Sequence, residues 1–214
     1  MKQHIYILGV GNNTLVYIDL VEACGYTIAG LYHYNDTRTG ESYHGYKILG
    51  SFEDLWAIKS LENMNFALSQ GNNTIRADVF NKILSMGGHI PSPIHPSANV
   101  SRFAKLGKGV VIHINAVIHP DTTIGDNSVF SYNTSITHSS SIGKHCYLAS
   151  KTMIGAYTTV EDYVFIGIDV TTISDKVNVI GAHAYIGAGS LVTKSVEPHS
   201  VIMGRPAKLI KGDF

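Results

Sequence analysis

His138 stands in Ile136-Thr137-His138-Ser139-Ser140-Ser141-Ile142-Gly143, an imidazole followed directly by three hydroxyls. Imidazole titrates near neutrality, so it can take a proton from a nucleophile and later return it. The chain holds eleven histidines, so position must decide among them. A second chemical signal lies in glycine–asparagine turns. Gly9-Val10-Gly11-Asn12-Asn13 and Gly71-Asn72-Asn73-Thr74-Ile75-Arg76 each follow a short apolar run and precede a helical pattern. Such a turn can aim backbone amides at an anion, phosphate above all, from a helix N-terminus. Cys24 and Cys146 are isolated and suggest neither a disulfide framework nor a metal knuckle. Both read as buried packing residues in a reducing cytoplasm.

The elements that carry these residues fall into two regions with different patterning. Over residues 1–88, strand and helix signals alternate. Ile5-Tyr6-Ile7-Leu8 reads as a strand and Thr14 to Ala23 as a helix, with Leu15, Ile18, Leu20, Val21 and Ala23 mostly on one face. Gly25 ends that helix. Thr27 to Tyr32 and Phe66-Ala67-Leu68 read as further strands, the latter followed by a helix through Ile75, Val79, Ile83 and Leu84. Strand, glycine turn and helix, twice over, predict a small Rossmann-like α/β domain with a parallel sheet. Ligands of such sheets bind at the carboxyl ends of the strands, where the glycine turns fall.

Residues 89–214 follow a period of six. Stepping from Ile94 gives Val100, Leu106, Ile112, Ile118, Ile124, Phe130, Ile136, Ile142, Leu148, Ile154, Val160 and Ile166. Every residue four places further on, from Ala98 to Val170, is small or β-branched. The pair of series predicts a left-handed parallel β-helix of triangular section, each hexapeptide one flat strand plus a corner. Three hexapeptides close a coil, so residues 18 apart stack, and each coil buries its apolar positions only against its neighbours. After Ile166 the next aliphatics are Ile173, Ile180, Ile186 and Val192, which predicts two one-residue insertions, seen as small bulges.

Lysines and arginines equal aspartates and glutamates at 16 each, and no basic run appears, which argues against a nucleic-acid or membrane-surface partner. The N-terminal stretch reads as a first strand rather than a secretory signal, and no apolar segment is long enough to span a bilayer. A cytoplasmic protein is expected.

The tail from Ile186-Gly187-Ala188-Gly189 through Lys194 to Gly204-Arg205-Pro206-Ala207-Lys208 resembles the C-terminus of the hexapeptide-repeat acyltransferases. With an α/β domain in front, the whole chain resembles the sialic-acid O-acetyltransferase-like (NeuD/PglD-type) family. Members of that family include N-acetyltransferases of UDP-linked 4-amino sugars in the bacillosamine pathway. The resemblance implies a homotrimer, with acetyl-CoA in the groove between adjacent β-helices and a nucleotide sugar on the N-terminal domain. It implies His138 as the catalytic base and the backbone N–H of Ala156 as the donor to the thioester carbonyl. The period supports that pairing, since Ala156 lies 18 residues after His138 and stacks one coil above it. Ser139 stands where the family carries Glu or Asp. A hydroxyl can hold an imidazole tautomer but cannot stabilise imidazolium with a charge.

For the nucleotide, the resemblance implies Gly9, Gly11, Asn12 and Asn13 in the first turn. His33 and Tyr34 follow the second strand, where the family has consecutive aspartates. Gly71, Asn72, Asn73 and Arg76 match the family's Gly-Asn-Asn-x-x-Arg turn. For coenzyme A it implies Ala156, Gly167, Ile168, Gly187, Ala188 and Gly189 along the backbone, Lys194 and Lys208 for phosphates, and Pro206 beside the adenine. The other histidines read as surface or interface residues, with His95 and His113 stacked as a ladder. Zinc carbonic anhydrases share the β-helix, but they need an HxxxxH spacing that is absent here, so no metal is expected. The reading is an acetyl-CoA-dependent N-acetyltransferase acting on a nucleotide-linked 4-amino-4,6-dideoxy sugar, UDP the first choice, in glycan biosynthesis. Two alternatives stay open: a sugar or sialic acid O-acetyltransferase, and a non-catalytic trimeric nucleotide-sugar binder.

Overall fold

Alternating apolar residues make β1 (His4–Leu8) a central strand, with Ile5, Ile7 and Leu8 fully buried. It is followed by α1 (Thr14–Ala23), β2 (Thr27–His33), β3 (Ser42–Tyr43), β4 (Tyr46–Ser51), α2 (Phe52–Trp56), β5 (Phe66–Leu68) and α3 (Asn73–Ser85). The sheet runs in the order β3-β4-β2-β1-β5, parallel except for the β3–β4 hairpin. In α1 the buried stripe is Thr14, Tyr17, Ile18, Leu20 and Val21. Leu15 and Ala23, expected on that face, are exposed, because the i, i+3, i+4, i+7 row starts at Thr14. The segment β3–β4–α2 was not foreseen. It is anchored by a capping box, in which Ser51 Oγ accepts from the Asp54 N–H and Asp54 Oδ2 from the Ser51 N–H.

The computed structural model describes residues 3–210 and divides between Pro93 and Ile94 into two units. The second unit is the left-handed parallel β-helix. Its strands stack into three sheets in the order in which hexapeptides recur every third time, parallel apart from the closing antiparallel pair Val201–Met203 and Lys208–Leu209. Ile112, Phe130, Leu148, Ile166 and Ile186 align in one sheet. Ile118, Ile136 and Ile154 align in the second, and Leu106, Ile124, Ile142, Val160 and Ile180 in the third. Together they form one continuous apolar core.

The small-residue positions are buried too, and their hydroxyls are satisfied along the axis. Ser128, Ser140 and Thr152 donate to the carbonyls of Gly143, Gly155 and Gly167, each in the neighbouring coil, at 2.7, 3.1 and 3.0 Å. Cys146 occupies the same position and is fully buried, whereas Cys24 is only half-buried. Corners turn through left-handed backbone every sixth residue. Asn115, Asp121, Asn127, Asn133, Ser139, His145, Lys151, Tyr157, Tyr163 and Asp169 all have φ between 55° and 62°. Asn and Asp tolerate that region, while a bulkier residue there costs about 1–2 kcal/mol and persists because the coil closes around it.

The expected pair of bulges after Ile166 is a different feature. Thr172, buried, keeps the phase of six, and Ile173 is exposed. Both extra residues sit in one long corner between the strands Thr171–Thr172 and Val179–Ile180, so that Val160 aligns with Ile180. An aliphatic count misread Thr172, whose methyl fills the inward position as valine would. No helix among the described residues is long and apolar enough to cross a membrane.

Candidate active site

The strand Ser135–Ile136 pairs with Met153–Ile154 in register, so the corner of His138 lies directly beneath that of Ala156. His138 is exposed, with Nδ1 3.4 Å from Ser139 Oγ. Ser139 is the left-handed corner residue (φ 55°), and its N–H donates to the Pro120 carbonyl one coil below. Tyr157, not foreseen, sets its ring edge-on to the imidazole, with centroids 5.4 Å apart and planes at 87°. Ala156 is buried, and its N–H, expected to face an acyl carbonyl, donates to Ser174 Oγ at 2.9 Å. The neighbouring Gly155 N–H donates to Thr172 Oγ1 at 2.8 Å. Tyr157 and Ser174 were within reach of the period, being 18 residues after Ser139 and Ala156.

Of the residues expected to hold coenzyme A, Gly167, Ile168, Gly187, Ala188 and Gly189 lie at a different corner of the prism, separated from His138 by one strand, whereas Ala156 and Lys194 stack in the column of His138 itself. Gly167 and Gly187 have a packing reason to be glycine. A Cβ on Gly167 would lie 2.6 Å from the Ala188 nitrogen, and one on Gly187 2.7 Å from Met203 Cβ. Ile168 is exposed beside them, and Gly189 turns the corner at φ 70° with open space around it. Arg205 Nη1 donates to the Gly189 carbonyl at 3.4 Å, and the exposed Pro206 follows. Lys194 and Lys208 line one cavity of about 430 Å³, together with Val196, Ile202 and Ala207. Bare backbone, an exposed aliphatic and a two-lysine cavity fit a pantetheine arm and its phosphates.

In the α/β unit, a second cavity of about 240 Å³ opens at the carboxyl ends of β1 and β5. Gly9, Gly11, Asn12, Asn13, Tyr34 and Gly71 line it, as does a pair not foreseen, Ser69 and Gln70. Ser69 Oγ donates to the Gly9 carbonyl at 2.6 Å and Gln70 Nε2 to the Leu8 carbonyl at 3.0 Å. Gln70 Oε1 is buried without a hydrogen-bond partner among the described residues. Gly9 has φ 95°, and a Cβ there would meet both side chains at 2.9 Å. Thr14, fully buried, accepts from the Gly11 N–H and donates to the Gly9 carbonyl, closing the turn on itself.

Three expected contacts take other places. Arg76 is fully buried, its guanidinium donating to the Gln70 carbonyl and to Asn73 Oδ1, so it fastens the third turn from behind rather than facing a ligand. Asn72 caps α3, its side chain accepting from the Ile75 N–H. His33 is buried, bonded to Asn35 Oδ1 at 3.0 Å, and lies behind the exposed ring of Tyr34.

The remaining histidines are more structural than their outward positions implied. His145 is buried, 2.9 Å from Asn127 Nδ2, and heads a ladder through Tyr163, His183 and His199 with rings 4.8–4.9 Å apart. His113 is buried as well, and burial pushes its pKa down to about 4, with the nearby His95 adding to the shift. Among the described residues no three His, Cys, Asp or Glu side chains gather as a metal site.

Comparison with known proteins meets this geometry at both ends of the chain. Residues 103–138 match the bacterial transferase hexapeptide (six repeats), and residues 4–83 match the PglD N-terminal domain. A histidine-to-alanine variant of GDP-perosamine N-acetyltransferase from Caulobacter crescentus, solved with CoA and GDP-perosamine, is 27% identical. The alignment covers 98% of this chain and 97% of that one with a TM-score of 0.88. The acetyltransferase domain of PglB from Neisseria gonorrhoeae FA1090 has the same fold, with a TM-score of 0.89 over 98% of this chain and all of that one at 22% identity. Among curated proteins, a UDP-3-O-acylglucosamine N-acyltransferase from Methylobacterium nodulans is 29% identical over 70% of this chain. An acyl-[acyl-carrier-protein]–UDP-N-acetylglucosamine O-acyltransferase from Pseudomonas paraeruginosa is 33% identical over 50% of it. The chain spans only 41–42% of the length of these two curated relatives. The chain thus joins a domain matching the PglD N-terminal domain to a β-helix matching the bacterial transferase hexapeptide repeat. Over its whole length it is similar to sugar N-acetyltransferases built in the same two parts, the NeuD/PglD-type arrangement.

Proposed function

We propose that the chain is an acetyl-CoA-dependent N-acetyltransferase whose acceptor is the amino group of a nucleotide-linked 4-amino-4,6-dideoxy sugar. The observation that carries the reading is the exposed His138 imidazole, held at a corner directly beneath Ala156 and beside Ser139. In this reading His138 removes the proton as the amine forms its C–N bond, and returns it to the departing thiolate. Ser139 holds the tautomer. Lacking a carboxylate there, the site suits an amine that binds neutral better than a sugar hydroxyl, which must be deprotonated to attack.

The acceptor's nucleotide belongs in the cavity around Gly9, Asn13, Tyr34 and Gly71, with the pantetheine arm along Gly167, Ile168 and Gly187 and its phosphates near Lys194 and Lys208. Because His138 and the glycine backbone occupy different corners, the reaction needs a second copy to bring one corner against the other. A homotrimer working in the cytoplasm meets that need. UDP is the first-choice nucleotide. GDP is the second reading, favoured by the GDP-perosamine bound to the 27% identical relative.

A thiol-release assay with acetyl-CoA and UDP-, dTDP- and GDP-linked 4-amino sugars tests the proposal. Turnover with one of them, abolished in His138→Ala, is expected. Turnover only with hydroxyl acceptors would turn the reading to O-acetylation. Nucleotide binding without any release would leave a non-catalytic binder.

A further inference from the structure

Ser174 Oγ accepts the Ala156 N–H at 2.9 Å, and Ser174 is itself exposed. Two other corners are capped in the same way by a side chain one coil above. The N–H groups of Lys108 and Lys144 end on Asp126 Oδ1 and Asp162 Oδ1 at 2.8 and 2.7 Å. The chemistry of the cap differs. An ionised carboxylate only accepts, whereas a hydroxyl that accepts from an amide keeps its own proton to give. An amide feeding a hydroxyl also polarises it and makes it the stronger donor. Serine hydroxyls also cap the Asn115 and Asn178 amides, through Ser97 and Ser195, but the amide stacked over His138 is the one that ends on Ser174. Ser174 is well placed there, because Thr172, two residues earlier, is buried and fastens the Gly155 N–H.

We propose that the Ser174 hydroxyl, relaying the Ala156 amide, is the donor that meets the acyl carbonyl of the thioester. The inference rests on the acyltransferase reading above and replaces its donor. As His138 takes the amine proton and the C–N bond forms, the carbonyl electron pair moves onto oxygen. Ser174 donates a hydrogen bond to that oxygen and keeps its proton. The pair then returns, the C–S bond breaks, and His138 delivers its proton to the sulfur. A direct contact from Ala156 would first require the existing bond to Ser174 to break. The relay leaves it in place.

Infrared difference spectra of acetyl-CoA, labelled with carbon-13 at the thioester carbonyl, read this donor without any acceptor present. Wild type and Ser174→Thr are expected to shift the bound carbonyl band below its position in free acetyl-CoA. Ser174→Ala is expected to return it, with kcat down about 10- to 100-fold and KM for acetyl-CoA changed less than about twofold. If Ser174→Ala lowers the unfolding midpoint, Ser174→Asp decides, since it keeps the cap on Ala156 and removes the donor, and the same losses are expected. A band shift and kcat that survive in Ser174→Ala would give the carbonyl to the Ala156 amide and overturn the proposal, leaving the acyltransferase reading intact. Wild type that binds no acetyl-CoA removes both.

Discussion

The rings of His138 and Tyr157 meet edge to face, centroids 5.4 Å apart, although Tyr157 belongs to the next coil. Tyr157 holds a left-handed corner at φ 60° and is itself more than half exposed, so its ring has little else to pack on. In the proposed reaction it would position the imidazole. Tyr157→Phe keeps the ring and should keep kcat within about twofold, whereas Tyr157→Ala should lower kcat about tenfold through lost orientation. An unfolding midpoint unchanged in Tyr157→Ala separates lost orientation from a fold defect.

Ser139 is the hydroxyl beside His138, the base of the proposed reaction. Placing a carboxylate there with Ser139→Glu should stabilise imidazolium and raise the apparent pKa of the free enzyme in kcat/KM. The left-handed backbone at Ser139 disfavours Glu about as much as the Lys151 corner disfavours lysine, so the protein should fold. An unchanged pH profile in Ser139→Glu would separate the imidazole from that side chain.

His113 makes stability depend on pH. Its pKa is about 4 in the folded chain against 6.5 when exposed, so between those values the unfolded chain binds the extra proton. Stability is therefore full above about pH 6.5 and is lost progressively as pH falls toward 4. A shift of that size corresponds to at most about 3 kcal/mol. Urea midpoints at pH 7 and 4.5 should converge in His113→Leu relative to wild type; equal slopes in both would place the acid sensitivity elsewhere.

Two glycines of the cavity in the α/β unit should respond differently to a single methyl. Gly9→Ala meets Ser69 and Gln70 at 2.9 Å on a φ of 95°, whereas Gly71→Ala finds only Asn13 Nδ2 at 3.4 Å. Gly9→Ala should weaken nucleotide binding at least tenfold and Gly71→Ala less than about threefold, measured by calorimetric titration with UDP and GDP. The reverse order would move the ligand out of this cavity.

Much of the β-helix was legible because its rule is local and repeated. A position that points inward in one coil points inward in all, so a period of six marks Ile118, Ile136 and Ile154 without any knowledge of contacts. The same ruler put His138 beneath Ala156. It failed at Thr172, where a methyl-bearing threonine satisfies the inward position and an aliphatic count passes over it. In the α/β domain the glycine turns were visible, but β3, β4 and α2 carry no strong period and were not.

What the amino-acid sequence determined alone was the architecture and the alignment of columns, because stacking every 18 residues is covalent arithmetic once the fold is a coil. The tertiary structure decided what each polar group is bonded to. Arg76 looked like a phosphate contact and is sealed against the back of its own turn, since its guanidinium satisfies Gln70 and Asn73. The Ala156 amide looked free and is capped by Ser174, a residue brought there only when the next coil closes. Hydrogen-bond partnership across coils depends on which side chain reaches which amide, and no spacing rule states that.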